Sequence, residues 1–278
     1  MSVSNNTRNV EATLENAMPL QSSMLLEISQ IAHGFTRRQL NLGIAEGNVG
    51  YGAPRDKLDG WEMRQRWCKS IEVDPDHIVT VHQVHGRQVM QVGFEHGGLG
   101  ARPESQPAGV ADALITDAPE LVLMTLHADC LPILIVDPER PAIAAVHSGW
   151  RGTVADVVGA TVATLVSTYH SRPANLLAVV GPGIGPCCYQ VGPEVIDAWR
   201  GEMNDQPDRA YRRSANECIF DLWTANQLLL IRAGLRPERI ESMAICTRCD
   251  GATYFSHRAQ GANTGRTAAL IALRQVNV

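Results

Sequence analysis

Residues 131–147 read LPILIVDPERPAIAAVH, two aliphatic runs joined by four residues that turn the chain. Two apolar runs joined by a four-residue connection predict a β-hairpin. Polar groups stand at the open end of the hairpin: Asp129 and Cys130 precede the first strand, and His147 closes the second. If Asp137 faces Ala142, then Pro132 faces His147. Residues two apart share a strand face, so Cys130 and His147 then become diagonal neighbours with Cα atoms ~7 to 8 Å apart. A one-residue slip puts them on opposite faces, and the sequence does not choose between the two registers.

Other short runs bounded by turn residues predict strands at MLLEI, HIVTVHQVH, DALIT, LVLMTL, LLAVV and SMAIC. Valines 154, 157, 158, 162 and 166, with Thr161 and Leu165, recur at helical spacing behind Thr153, a candidate N-cap. GPEVIDAWR and DLWTANQLLLIRAG read as two more helices, the second stopped by Gly234. The hairpin-length connections favour an α+β fold, mostly antiparallel sheets with helices outside. The Gly- and Pro-rich segment 95–109 reads as a long surface loop. Residues 1–20 lack the basic and apolar regions of a signal peptide and read as a frayed tail, ahead of a single domain over 21–278. With 45% hydrophobic residues the chain can bury a large core.

A formal charge of −5 offers no basic field for nucleic acid, and no apolar run is long enough to span a membrane. Seven cysteines without an export signal point to reduced thiols in a cytoplasmic protein. In HIVTVHQVHG, strand alternation puts Gln83 and His85 on one face and His82 on the other. His85, Cys130 and His147 together offer two imidazoles and a thiolate, a donor set suited to Zn²⁺ with a fourth position left open. The same residues also read as a small buried thiol and two hydrogen-bonded rings. CTRC, residues 246–249, has metal or redox spacing but no second C-x-x-C, and stays unassigned.

Seven blocks occur in order: TVHQVHG, ADALIT, HADCLPILIVD, AVHSGWRGT, GPGIGPCCYQVG, AICT and YFSHRAQGANTGR. Together, from about His33 to Arg266, they resemble the laccase-domain, or YfiH-like, family. The resemblance implies a zinc-dependent purine nucleoside enzyme, phosphorolysing adenosine, inosine and methylthioadenosine and deaminating adenosine, with purine nucleoside and phosphate as its partners. It implies His85, Cys130 and His147 as metal ligands. It also implies two packed sheets in α/β/β/α layers, similar to the catalytic domain of the cytotoxic necrotizing factors. In those toxins a Cys and His pair acts on glutamine side chains, so a Cys130 nucleophile with His147 as base, editing peptidoglycan precursors, is the alternative. A polyphenol oxidase, as the family was first named, is the other.

The chain departs from the family in lacking a glycine-rich insertion between HGFTRR and LNLG. It also carries Arg258, Ala259 and Gln260 where Arg-Arg-Asp is usual, and His127 where Thr is common. Zinc held by the three ligands would supply Lewis-acid activation of water, lowering its pKa toward ~7, for attack on C6 of adenosine. Asp129 is read as a catalytic acid and base or as support for a ligand. Arg151, just before the valine-striped helix, is the candidate phosphate site. Arg37, Asn41, Gln83 and Arg258 are further substrate-binding candidates. Multicopper oxidation needs a cluster of paired histidines, and nine histidines form no H-x-H pair here. Cu²⁺ could still occupy the same three ligands. Monomer and small homo-oligomer are both compatible with the sequence.

Overall fold

The computed structural model describes residues 17–52, 55–203 and 205–275. Strands in chain order are β1 Ile31–Phe35, β2 Ile78–Val79, β3 Val89–Gln91, β4 Ala113–Thr116, β5 Val122–His127, β6 Leu131–Asp137 and β7 Ala142–Ser148. They continue as β8 Leu177–Val180, β9 Gln190–Val191, β10 Tyr211–Arg213, β11 Cys218–Phe220, β12 Ile240–Ser242 and β13 Thr267–Leu273. Helices are α1 Ser23–Leu26, α2 Lys57–Ser70, α3 Trp150–Val154, α4 Val157–Tyr169, α5 Pro193–Glu202, α6 Leu222–Arg232 and α7 His257–Gln260.

The hairpin of β6 and β7 pairs with Asp137 opposite Ala142 and Pro132 opposite His147. This is the register that sets Cys130 and His147 on one face. Both strands are buried along their whole length, at the centre of a six-stranded sheet ordered β12-β8-β6-β7-β4-β3. Alternation sends Ile133, Ile135, Ala144 and Val146 into a core shared with α4, α5 and α6. Leu134, Val136, Ile143 and Ala145 go the other way, into a core shared with β1, β5 and β13 of a four-stranded sheet ordered β1-β13-β5-β2. Each such valine, leucine or isoleucine is worth roughly 1.5 to 3 kcal/mol when buried. A slip would keep the residues apolar but exchange every partner across two packed cores, and would move His147 away from the site. The outer face of the four-stranded sheet packs on Met63, Trp67 and Cys68 of α2. The result is a mixed α+β fold, helices and sheets layered around a double-sheet centre, with a third, small sheet ordered β10-β11-β9. Most pairings are antiparallel; β2 on β5, β3 on β4 and β12 on β8 are parallel.

Several expected boundaries change. MLLEI does not form a strand: Ser22 accepts Leu25 N–H and starts α1, a single turn. SMAIC contributes only Ser242, the last residue of β12. Thr153 is no N-cap; it lies inside α3 with its hydroxyl on Gly149 O, and Asp156 caps α4 by accepting Gly159 N–H. The loop 95–109 is not a detached surface excursion. Arg64 of α2 donates to the carbonyls of Gly100 and Ala101, holding that loop down. Of the tail expected over residues 1–20, residues 1–16 lie outside the described residues, while Leu20 pairs with Phe35. No described helix is long and apolar enough to cross a membrane.

One core group makes the fold sensitive to acid. His33 on β1 is fully buried, and its Nε2 accepts the backbone N–H of Ser22 at 2.8 Å. Burial pushes the imidazole down to about 4. The unfolded chain, with an ordinary histidine near ~6.5, therefore binds more protons than the native state between these values. The stabilisation is complete above the unfolded pKa and is lost as pH falls toward 4, amounting to about 3 kcal/mol. Melting temperature should drop steeply between pH 6.5 and 4.5, and His33→Gln, which keeps an acceptor for Ser22, should flatten that slope. Identical slopes in the two proteins would count against this account.

Candidate functional site

The open end of the hairpin is closed by one carboxylate, Asp112, which is completely buried just before β4. Its Oδ1 accepts the backbone N–H of His85 at 2.9 Å and its Oδ2 accepts those of Val84 at 3.2 Å and Gly86 at 2.6 Å. Three consecutive N–H groups turned onto one side chain cannot belong to an extended strand. The strand expected through His85 accordingly ends with β2 at Val79, and His85 adopts φ 61° in a tight bend. The alternation predicted for His82 and His85 fails with it, and both rings line the same cavity.

Asp112 Oδ1 also accepts Nδ1–H of His147 at 2.9 Å. That contact fixes the imidazole tautomer and leaves Nε2 as the free donor atom, the arrangement found where a carboxylate supports a metal-bound histidine. The His85 and His147 rings meet edge to face with centroids 4.8 Å apart. One donor atom each from His85, Cys130 and His147 all lie within 4.8 Å of one another. Gly149 permits this closeness, since a Cβ there would stand 2.8 Å from Cys130 Sγ and 3.0 Å from His85 Cδ2.

Charge follows the geometry. Burial alone would raise the Cys130 thiol, but the charge of His147 and hydrogen bonds from both histidines outweigh it and bring the thiol down to about 6. Burial would likewise lower His147, yet the Cys130 thiolate and Asp112 raise it to about 9. Burial raises the Asp112 carboxyl, and the His147 ring with the Gly86 and His85 amides holds it below the usual carboxylate range. The group is thus an anionic sulfur beside two imidazoles. His127 is separate from this exchange. It is buried and neutral, its pKa pushed down by burial and then by His147, with Nε2 at 2.8 Å from Thr125 Oγ1 and Nδ1 at 3.2 Å from the Cys130 carbonyl.

Two nitrogens and one thiolate at this spacing fit a borderline-soft cation such as zinc, with His85, Cys130 and His147 as its holders. They open onto a cavity of about 820 Å³ whose walls include Tyr51, Tyr189, Arg258 and Arg266, with Gly100 and Pro107 from the loop 95–109. That loop, expected only at the surface, forms a wall of the cavity.

The family described as multi-copper polyphenol oxidoreductase laccase matches residues 32–274. The chain belongs to this laccase family. It is 32% identical to the purine nucleoside phosphorylase YlmD of Geobacillus stearothermophilus over 85% of its own length and 84% of that relative. It is 30% identical to the adenosine deaminase RL5 of an unknown prokaryotic organism, over 76% of this chain and 81% of the other. The crystal structure of the Bacillus licheniformis hypothetical protein YfiH superposes with a TM-score of 0.85 at 31% identity, covering 89% of this chain and 94% of that one.

Within this laccase-family cavity the other expected residues separate. Gln83 lines it, but both ends of its amide are held by Leu126, Nε2 donating to the carbonyl at 2.9 Å and Oε1 accepting the N–H at 2.8 Å. It bridges to β5 as a peptide would. Arg258 lines the cavity, with Nη1 on Gln190 O and the guanidinium 5.2 Å from the Tyr189 ring. Arg37 lies elsewhere, its Nε bound to Met18 O, and Asn41 borders a different surface depression. Arg151 lies within the short helix α3 rather than ahead of α4, exposed and stacked 4.3 Å from the Trp150 ring, outside the cavity lining. Sequence reasoning missed Asp112, whose signal was the aspartate of ADALIT set one residue ahead of its strand, and Arg266, at the end of the last block.

Asp129 is buried with φ 85°, in the left-handed region, which turns the chain so that Cys130 points inward. Its Oδ1 accepts Thr247 Oγ1–H at 2.6 Å and its Oδ2 accepts Arg258 N–H at 2.6 Å. Both oxygens are therefore engaged in joining the hairpin to the segment that carries Arg258. Asp129→Ala should leave metal content unchanged and lower kcat/KM by about tenfold or more through misplaced cavity residues. Loss of metal from that variant would mean the aspartate acts on Cys130 itself.

Proposed function

We propose that the cavity carries out phosphorolysis of purine nucleosides, adenosine, inosine and methylthioadenosine, and deaminates adenosine, with zinc held by His85, Cys130 and His147. The observation that carries this reading is the convergence of those three donors, one side left open, at a cavity of nucleoside size. Relatives named for both activities support it. Bound there, zinc supplies Lewis-acid activation of water or of the nucleoside. Without metal, Cys130 and His147 favour their charged forms through mutual attraction; a bound ion would take the place of the His147 Nε2 proton while Asp112 keeps the remaining proton on Nδ1.

The tyrosine faces of Tyr51 and Tyr189 give the cavity apolar surface for a flat base. Arg258 and Arg266 are its candidates for phosphate. Burial and the neighbouring Arg55 lower the Arg266 pKa, and the Cys130 and Asp129 charges partly restore it. Arg151 is set aside for this role because it lies outside the cavity lining. The fold from residue 21 onward acts as one catalytic unit in this reading. Electron transfer by several coppers fits poorly: the two donor clusters among the described residues contain two imidazoles between them, and multicopper oxidation needs many more.

Incubating the purified protein with adenosine, with and without phosphate, tests the reading. Adenine with ribose 1-phosphate in the presence of phosphate, and inosine in its absence, are the expected products. Unchanged nucleosides together with cleavage of a muropeptide would overturn it in favour of the Cys130 nucleophile.

A further inference from the structure

Four of the seven cysteines meet at a second place in the fold, away from Cys130. One donor atom each from Cys187, Cys188, Cys246 and Cys249 all lie within 4.8 Å of one another. Cys187 and Cys188 each approach Cys249 with Sγ–Sγ distances of 3.4 Å. The residues come from two loops. In the first, Gly185 O accepts the N–H groups of Cys188 and Tyr189 at 2.9 and 3.0 Å, a turn that presents both neighbouring thiols. In the second, Cys246 O accepts Asp250 N–H at 3.0 Å, so C-x-x-C folds as a helical turn with both sulfurs toward the first loop. The missing partner of CTRC is thus the adjacent pair of GPGIGPCCYQVG, a spacing that no C-x-x-C search would find.

We propose that these four cysteines bind a second metal ion, a thiophilic cation of the zinc class, in a closed four-thiolate site. Zinc bonded to sulfur at about 2.3 Å in a tetrahedron separates its ligands by about 3.8 Å, in the middle of the observed spacing. A disulfide would need about 2.05 Å. The backbone N–H of Gly185 points at Cys246 Sγ at 3.3 Å, a donor that stabilises a thiolate. Binding converts four thiols and one Zn²⁺ into a tetrathiolate complex with net charge −2 and releases four protons, with no change of oxidation state. Four protein donors leave no position for substrate, which makes this a structural centre.

Its place in the fold gives it a task. The first loop carries Ile184 and Tyr189 into the cavity wall. The second carries Thr247, the hydrogen-bond partner of Asp129, and leads on to Arg258. A metal joining the two loops fixes that wall from outside, independently of the ion held by Cys130 and independently of the reaction proposed above.

The test uses the full chain, stripped with a chelator, reloaded with zinc alone, desalted and measured for zinc per chain by elemental mass spectrometry. Two equivalents are expected for the wild type, one for Cys130→Ala, one for Cys249→Ser and none for the double variant. Zinc-loaded Cys130→Ala should mask four thiols from a thiol reagent and release them after chelation, which needs no cysteine of the cluster to be replaced. Trypsin should cut after exposed Arg248, between the two cysteines of the second loop, more slowly in the loaded form. A Cys130→Ala protein that binds no zinc, or whose four thiols react equally with and without it, overturns the proposal.

Discussion

Replacing Cys130 with alanine should abolish nucleoside turnover and remove one metal equivalent in the same step. The thiolate is one of three donors within 4.8 Å of one another, and a metal left with two imidazoles loses the charge-neutralising ligand of the set. Activity should fall by at least about a thousandfold, the scale on which enzymes lose a group essential to the chemical step. Cys130→Ser is the sharper form, since it keeps size and polarity but raises the pKa of the donor far above the thiol's. If Cys130 were a nucleophile with His147 as its base, the alanine protein would retain metal on the remaining residues and lose only turnover. Metal content therefore decides between the two readings even where both variants are inactive. Alanine is smaller than cysteine and, at a place where even a Cβ on Gly149 would stand 2.8 Å from Cys130 Sγ, it fits without a clash, so the variant should still fold.

The hairpin was legible in the sequence, whereas its register was decided only by the structure. A four-residue turn between two apolar runs predicts the pairing, but strands buried on both faces carry no alternation to select the register. His85 reached its place by a route that periodicity does not describe. Alternation placed it on a strand face; the structure has it in a bend whose cause is Asp112, a residue 27 positions away in sequence. Helix α2 was missed for a related reason. Its sequence KLDGWEMRQRWCKS is largely polar and buries Met63, Trp67 and Cys68 on one side, so the stripe is too thin to register, although Asp56 caps it with two N–H contacts. Strand β13, TAALIAL, has the opposite fault: buried at every position, it shows no alternation and reads equally as helix. The thiol cluster escaped because its halves lie about sixty residues apart, at 187–188 and 246–249, and are brought together by the β8 and β12 pairing and the bridge of Gly183 with Cys246 beyond it. What stayed hidden was in each case a contact between distant segments, through side chains whose local signal is weak.

Asp112→Asn should be the second most damaging change, and for a reason that can be counted atom by atom. Each carboxylate oxygen accepts from two N–H groups, Oδ1 from His85 and the His147 ring, Oδ2 from Val84 and Gly86. An amide has one oxygen, so its NH₂ must face donors whichever way it turns. With the NH₂ toward Val84 and Gly86, the His85 bend loosens; with it toward His147, the ring loses the acceptor that holds its proton on Nδ1. Either outcome displaces a donor of the cluster. Metal affinity, measured by chelator competition, should weaken about 10- to 100-fold, the usual cost of losing such a support. Donors left unpaired should also lower stability by about 2 kcal/mol. The backbone bond from His147 N–H to Asp112 O, at 2.7 Å, does not involve the side chain, so the β4 and β7 register should survive and the protein should still fold. A variant that melts earlier yet holds metal as tightly as the wild type would show that Asp112 only braces the fold, and that His85 and His147 orient themselves without it.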